Sequence, residues 1–132
     1  MTKAELEQFL KLKNEILVLE YQLASLRDKA EEDSRIYGLY SLTGDPESEI
    51  ERRENELEQM KTEFTRQLRA AERFIDGIEE SRTRTVFRLR YMEGWPWLPI
   101  AFQIGYSDEQ RPRKIHNGYL MQQADEQKRG SA

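Results

Sequence analysis

The chain has 132 residues, 37% hydrophobic and 35% charged, with one histidine, no cysteine and a formal net charge of −4. That length suits one small domain, or a helical extension carrying one very small domain. The missing cysteine excludes a disulfide framework or a thiolate site, no apolar run approaches bilayer-spanning length, and the first residues lack the basic-then-apolar layout of a secretory leader. A cytoplasmic protein with no membrane partner is the simplest expectation.

In chain order, the first element is a helix. Phe9, Leu12, Ile16, Leu19, Leu23, Leu26 and Ala30 follow one another at steps of three and four, which keeps one stripe facing a partner. Thr2 with Glu5 three residues later is a capping-box pattern, and Leu6, Leu10 and Leu17 widen the stripe. The pattern fades at Glu31, Glu32 and Asp33. Residues 34–44 contain Gly38 and Gly44, yet Ile36, Tyr37, Leu39, Tyr40 and Leu42 make the stretch too apolar for a solvated linker, so packing is expected there. Asp45-Pro46 reads as an N-cap with proline in the first turn. A second long helix follows, its seam made by Ile50, Leu57, Met60, Phe64, Ala71, Phe74 and Ile78, interrupted at Arg53 and Gln67. Two such helices imply an antiparallel hairpin over residues 1–80. One hairpin buries little alone, so self-association through these helices, with a dimer favoured, is expected.

The charge is unevenly placed. Residues 1–81 hold 12 Lys and Arg against 20 Asp and Glu, a balance of −8, whereas residues 82–118 hold 7 against 3, a balance of +4. Because charge is screened within about 10 Å at ordinary salt, a local basic segment can meet a polyanion although the whole chain is acidic.

Residues 81–124 read as a small helical module with helices at 82–92, 97–104 and about 112–123, and residues 125–132 read as a tail, frayed from 127. Val86, Phe87, Leu89 and Tyr91 give the first helix an apolar face, and Glu93-Gly94 ends it. Leu98, Ile100, Ala101 and Ile104 serve the second; Ala101 is small where another helix would cross, and Gly105 marks the sharp turn of a helix-turn-helix. Ser107 and Asp108 are cap candidates for the last helix. Proline in the second turn of a helix begun at Ser107 would cost about 3 kcal/mol, so that helix is expected to start near Arg111-Pro112, burying Ile115 and Leu120. Gly118 within it costs up to about 1 kcal/mol relative to alanine, either permitting close packing or weakening the helix end.

Arg90-Tyr91, the turn from Gly94 to Trp97, Ile100-Ala101, the turn from Gly105 to Ser107, and Ile115-His116 form an ordered set over about 40 residues. This set resembles the C-terminal module of phage RinA/ArpU-type late transcriptional activators, which is similar to region four of bacterial sigma factors. The segment from Ser107 to Ile115 is one residue longer than the sigma-like pattern. The resemblance implies an all-α, sequence-specific regulator, phage or prophage encoded and working in a bacterial cell, whose last helix enters the major groove of double-stranded DNA. The hairpin would self-associate or present an acidic face to the host RNA polymerase.

Residue chemistry assigns roles within that frame. Gln110, Arg111, Arg113, Lys114 and Asn117 are the base-facing candidates, since arginine pairs bidentately with guanine and Asn or Gln with adenine. Arg82, Arg84, Arg88 and Ser107, with the positive end of the last helix, are the phosphate-facing ones. The arginines also have a plainer reading as a solvated face balancing the acidic helices. Trp95 and Trp97 read as core plugs and turn staples, His116 as a scaffold residue, and Glu79-Glu80 as a solvated helix end. No glycine-rich phosphate loop, nucleophile–base pair or metal-ligand spacing is legible, so no enzyme activity, cofactor or metal is expected. Two other readings remain open: a small-terminase-like DNA-packaging adaptor, and a coiled-coil interaction module that contacts polymerase instead of DNA.

Overall fold

The structure, a computed structural model, describes residues 1–37 and 46–130. Among these, every regular element is helical: α1 (Lys3–Tyr37), α2 (Pro46–Asp76), α3 (Ser81–Phe87) continuing into a π turn (Arg88–Met92), α4 (Trp97–Gln103) and α5 (Gln110–Gly130). The fold is all-α, a long helical hairpin followed by a small helical domain. No helix among the described residues is long and apolar enough to cross a membrane. The packing expected of Leu39, Tyr40 and Leu42 and the cap by Asp45 lie outside the described residues, as do the side chains of Ile36 and Tyr37.

The chain divides into two compact units, Lys11–Arg66 and Met1–Leu10 with Gln67–Ala132. In the first, Glu20 pairs with Lys61 at 3.1 Å and Arg27 with Glu54 at 2.7 Å. One partner number rises as the other falls, so the helices run antiparallel. Leu12, Ile16, Leu19 and Leu23 are buried along α1, as the heptad requires, while Ile50, Leu57, Met60 and Phe64 of α2 are half-buried. Each aliphatic side chain so buried contributes about 1.5–3 kcal/mol. Arg53, which interrupts the apolar seam, donates to the Gln22 side chain at 3.2 Å and stays half-buried. The interruption is thus a polar cross-link. Leu17, expected to widen the stripe, is exposed with Val18 and Tyr21.

The second unit gathers more chain than the 81–124 module. Its core holds Leu6 and Phe9 from α1, Ala71 and Ile75 at the end of α2 and Ile78 just after it, with Val86, Phe87, Tyr91, Ile100, Ala101 and Leu120. Helices as short as α3 and α4 cannot enclose a core alone, and the extra turns supply the missing apolar area. The Thr2–Glu5 capping box forms in both directions: Thr2 N–H donates to Glu5 Oε1 and Glu5 N–H to Thr2 Oγ1, each at 3.2 Å. Phe87 is the hub, stacked on His116 at 4.7 Å between centroids and edge-on to Phe74 and Tyr119.

Three local features depart from expectation. Glu80 is exposed but does more than end a helix: its carboxylate caps α3, accepting from the N–H groups of Arg82 (3.1 Å) and Thr83 (2.6 Å) and from the Thr83 hydroxyl. The helix after α3 closes with a π turn, Glu93 N–H reaching back to Arg88 O at 3.2 Å. And α5 continues to Gly130, so residues 125–130 are helical where a tail was expected.

Candidate nucleic-acid interface

The α4–α5 connection is built by backbone chemistry that the residue types dictate. Gly105 takes φ 92°, a region costly for other residues. Its N–H bonds Phe102 O at 3.2 Å while Tyr106 N–H bonds Ala101 O at 2.8 Å, the paired bonds of a Schellman stop. Asp108 then opens α5, with Oδ1 accepting from Gln110 N–H at 2.9 Å and its carbonyl from Arg111 N–H at 3.2 Å. Pro112 falls in the first turn, where no intrahelical donor is lost. The helix therefore starts at Gln110, close to the expected position.

One side of α5 faces the core. Pro112, His116 and Leu120, four residues apart, are buried, and Ile115, expected in the core, is only half-buried. The opposite side carries Gln110, Arg111, Lys114, Asn117, Gly118 and Met121, all exposed. A β-carbon built at Gly118 would meet nothing within 4 Å, so this glycine serves no close packing inside the chain.

His116 ties that face to the core. The Tyr91 hydroxyl lies 2.6 Å from its Nε2, and Asn117 Oδ1 lies 2.9 Å from its Nδ1. An amide oxygen only accepts, so Nδ1 carries the hydrogen and Nε2 accepts from the phenol. Burial pushes the imidazole below its ordinary value, opposed in part by the Asn117 bond, and raises the Tyr91 phenol to about 12; the ring stays neutral and the phenol protonated. Trp97 meets His116 edge-on at 5.2 Å, and Arg90 stacks on Trp97 at 4.4 Å while donating to Trp95 O at 3.1 Å. Both tryptophans are half-buried, in keeping with turn staples.

The basic side chains fall into two groups. Arg84 Nη1 is turned back onto Ile78 O at 2.8 Å, Arg88 pairs with Asp76 at 2.9 Å, and half-buried Arg113 pairs with Glu109 at 3.3 Å. These have partners within the chain. Arg82, Arg111 and Lys114 are exposed and have no ion pair among the described residues. Arg82 Nη1 donates to the Tyr106 hydroxyl at 2.7 Å, and the guanidiniums of Arg82 and Arg111 lie 5.4 and 5.3 Å from the same Tyr106 ring. Ser107 is exposed beside them. Tyr106 stood in the sequence only as part of a turn, and the Arg-Tyr-Arg grouping has no local signal because its members come from three elements.

Two details alter the expected division of labour. The N–H groups of Gln110 and Arg111 are occupied by Asp108 and Pro112 has none, so side chains, not the first α5 amides, are the donors open to an anion. Farther along, an open groove is lined by Glu79, Glu80, Thr83, Lys114, Gly118 and Glu126. Burial with the Glu126 and Glu79 carboxylates raises the Tyr119 phenol, so the negative charge borders the later turns of α5. Positive charge sits at its N-terminal turns, with Arg111 and Lys114, and again in its last turn, with Lys128 and Arg129.

Comparisons with protein-family models, with curated proteins and with solved structures return no match. The fold and the surface chemistry are therefore what bear on function.

Proposed function

We propose that this chain is a sequence-specific regulator that binds double-stranded DNA, of the phage or prophage late-gene activator type, docking the N-terminal turns of α5 in the major groove. The observation that carries the reading is the uncovered face of Gln110, Arg111, Lys114 and Asn117 on a helix whose other side is anchored by Pro112, His116 and Leu120. A helix so held presents amide and cationic groups suited to base edges at a fixed register. Arg82 and Ser107 flank that face as phosphate contacts. Arg84, Arg88 and Arg113 act within the fold, holding the α2–α3 connection, the end of α2 and the start of α5. Asn117 offers its NH₂ group to a base more freely than its oxygen, which His116 shares.

The outward Leu17, Val18 and Tyr21 of α1 support self-association through the N-terminal helices, with a dimer favoured; host RNA polymerase is the partner a regulator of this type would address. Selection of bound duplexes from a random pool tests the reading. Enrichment of one motif, lost in an Arg111→Ala/Lys114→Ala chain, is the expected result. A pool that stays random through repeated rounds would refute sequence-specific binding. Rings of many subunits in light scattering, with duplex binding retained, would turn the reading towards a small-terminase-like packaging adaptor.

A further inference from the structure

Arg82 at the start of α3, Tyr106 in the turn and Arg111 in the first turn of α5 converge although they are far apart in sequence. Both guanidiniums sit over one ring, so the two positive charges are separated by no more than about 11 Å, close to one screening length at 0.1 M salt. A ring face at an exposed site offers each cation only about 0.5–1 kcal/mol, and Arg82 and Arg111, unlike Arg27, Arg66 and Arg88, have no ion pair with a carboxylate among the described residues. Here the nearby carboxylates are committed: Glu80 to the Arg82 and Thr83 N–H groups and the Thr83 hydroxyl, Asp108 to the Gln110 N–H. The Tyr106 oxygen accepts from Arg82, which leaves its own hydrogen free to be donated outward.

We propose that Arg82, Tyr106 and Arg111 form a clamp for a single phosphate group, with two guanidiniums and one phenol as donors. Charge-assisted bonds from two arginines to one phosphate are about twice as strong as neutral ones and relieve the repulsion between the cations. The clamp deepens the duplex reading and rests on it only for the source of the phosphate, a strand backbone as opposed to a free ion. A phosphate held there moves Arg111 from base contact to backbone contact and fixes the register of α5, leaving Gln110, Lys114 and Asn117 to meet the base edges.

The full-length chain, labelled at the arginine side chains, is titrated by NMR with inorganic phosphate and separately with a DNA duplex, chloride of matched ionic strength serving as the control. Joint shifts of the Arg82 and Arg111 Nε–H signals and the Tyr106 ring with phosphate but not chloride are expected, weakened in Tyr106→Phe, a variant that keeps the ring. On duplex, the Arg82→Ala/Arg111→Ala chain should lower the log–log salt slope by about 0.9, one phosphate's worth. A fall of about 1.8 would mean two separate phosphates and overturns the clamp, as does an unchanged slope with duplex binding intact; both leave the duplex reading standing. Phosphate shifts without any duplex binding keep the clamp for a free anion and refute the duplex reading. Absence of shifts with either titrant overturns the clamp.

Discussion

The Tyr91 hydroxyl and His116 Nε2 lie 2.6 Å apart in the core, and the other imidazole nitrogen holds the Asn117 amide oxygen at 2.9 Å on the outer face of α5. A chain of two hydrogen bonds thus runs from the π turn that follows α3 to the surface on which the proposed recognition depends. Each link has one direction, because the amide oxygen can only accept. This chain and the burial of Pro112, His116 and Leu120 hold the same side of α5 to the core.

Removing the phenolic oxygen tests it. Tyr91→Phe leaves Nε2 buried without a donor, and an unsatisfied buried polar group costs about 1–3 kcal/mol. Urea denaturation should show an unfolding free energy smaller by that amount, read as a lowered midpoint with an unchanged slope. A midpoint equal to that of the parent chain would mean that the bond contributes nothing.

The same pair gives a pH dependence whose sign follows from burial. His116 is held below its ordinary value of 6.5, so between the folded and unfolded values the unfolded chain binds more protons. The stabilisation is complete above about pH 6.5 and declines as pH falls from there towards the folded value. Denaturation midpoints at pH 7.5 and 5.5 should therefore differ, the lower pH being less stable, and His116→Gln should flatten that window whatever its own stability. Glu80 acts in a separate, more acidic window: bonds from Thr83 hold its carboxyl below 4.5, so its contribution is present above that value and lost beneath it. A His116→Gln chain that keeps the same slope between pH 7.5 and 5.5 would show that another group carries it.

Two glycines should respond in opposite senses. At Gly118, exposed in mid-helix with open space around a β-carbon, alanine should raise stability by up to about 1 kcal/mol. At Gly105, with φ 92°, alanine should lower it by about 1 kcal/mol or more. Thermal melting of both variants checks this, and a destabilised Gly118→Ala would contradict the uncovered α5 face.

Much of the architecture was legible in the residues, and the rest was hidden for physical reasons. The α1 seam from Phe9 to Leu23, the Thr2–Glu5 box, the Gly105 turn and the α5 start beside Pro112 are all encoded within one or two turns of chain, where periodicity and backbone chemistry act. Leu17 looked like core because spacing alone does not say which side of a widened stripe the partner covers. The roles of Arg84 and Arg88 depend on Ile78 O and Asp76, contacts made only once α2 and α3 meet. Tyr106 gained its meaning from Arg82, 24 residues away. The π turn at Arg88–Met92 carries no residue signature, and the exposed helical stretch 125–130 reads as polar tail because it has no apolar residue to set a helical period.

Fluorescence anisotropy of a labelled duplex across rising salt tests the central claim most directly, comparing the parent chain with Arg111→Ala/Lys114→Ala and with Lys61→Ala on the hairpin as control. Each phosphate neutralised contributes about −0.9 to the log–log slope. Steep salt dependence is expected in the parent and the control, with weaker binding and a shallower slope in the α5 variant. Equal affinity and equal slope in all three chains would remove α5 from the interface and contradict the account.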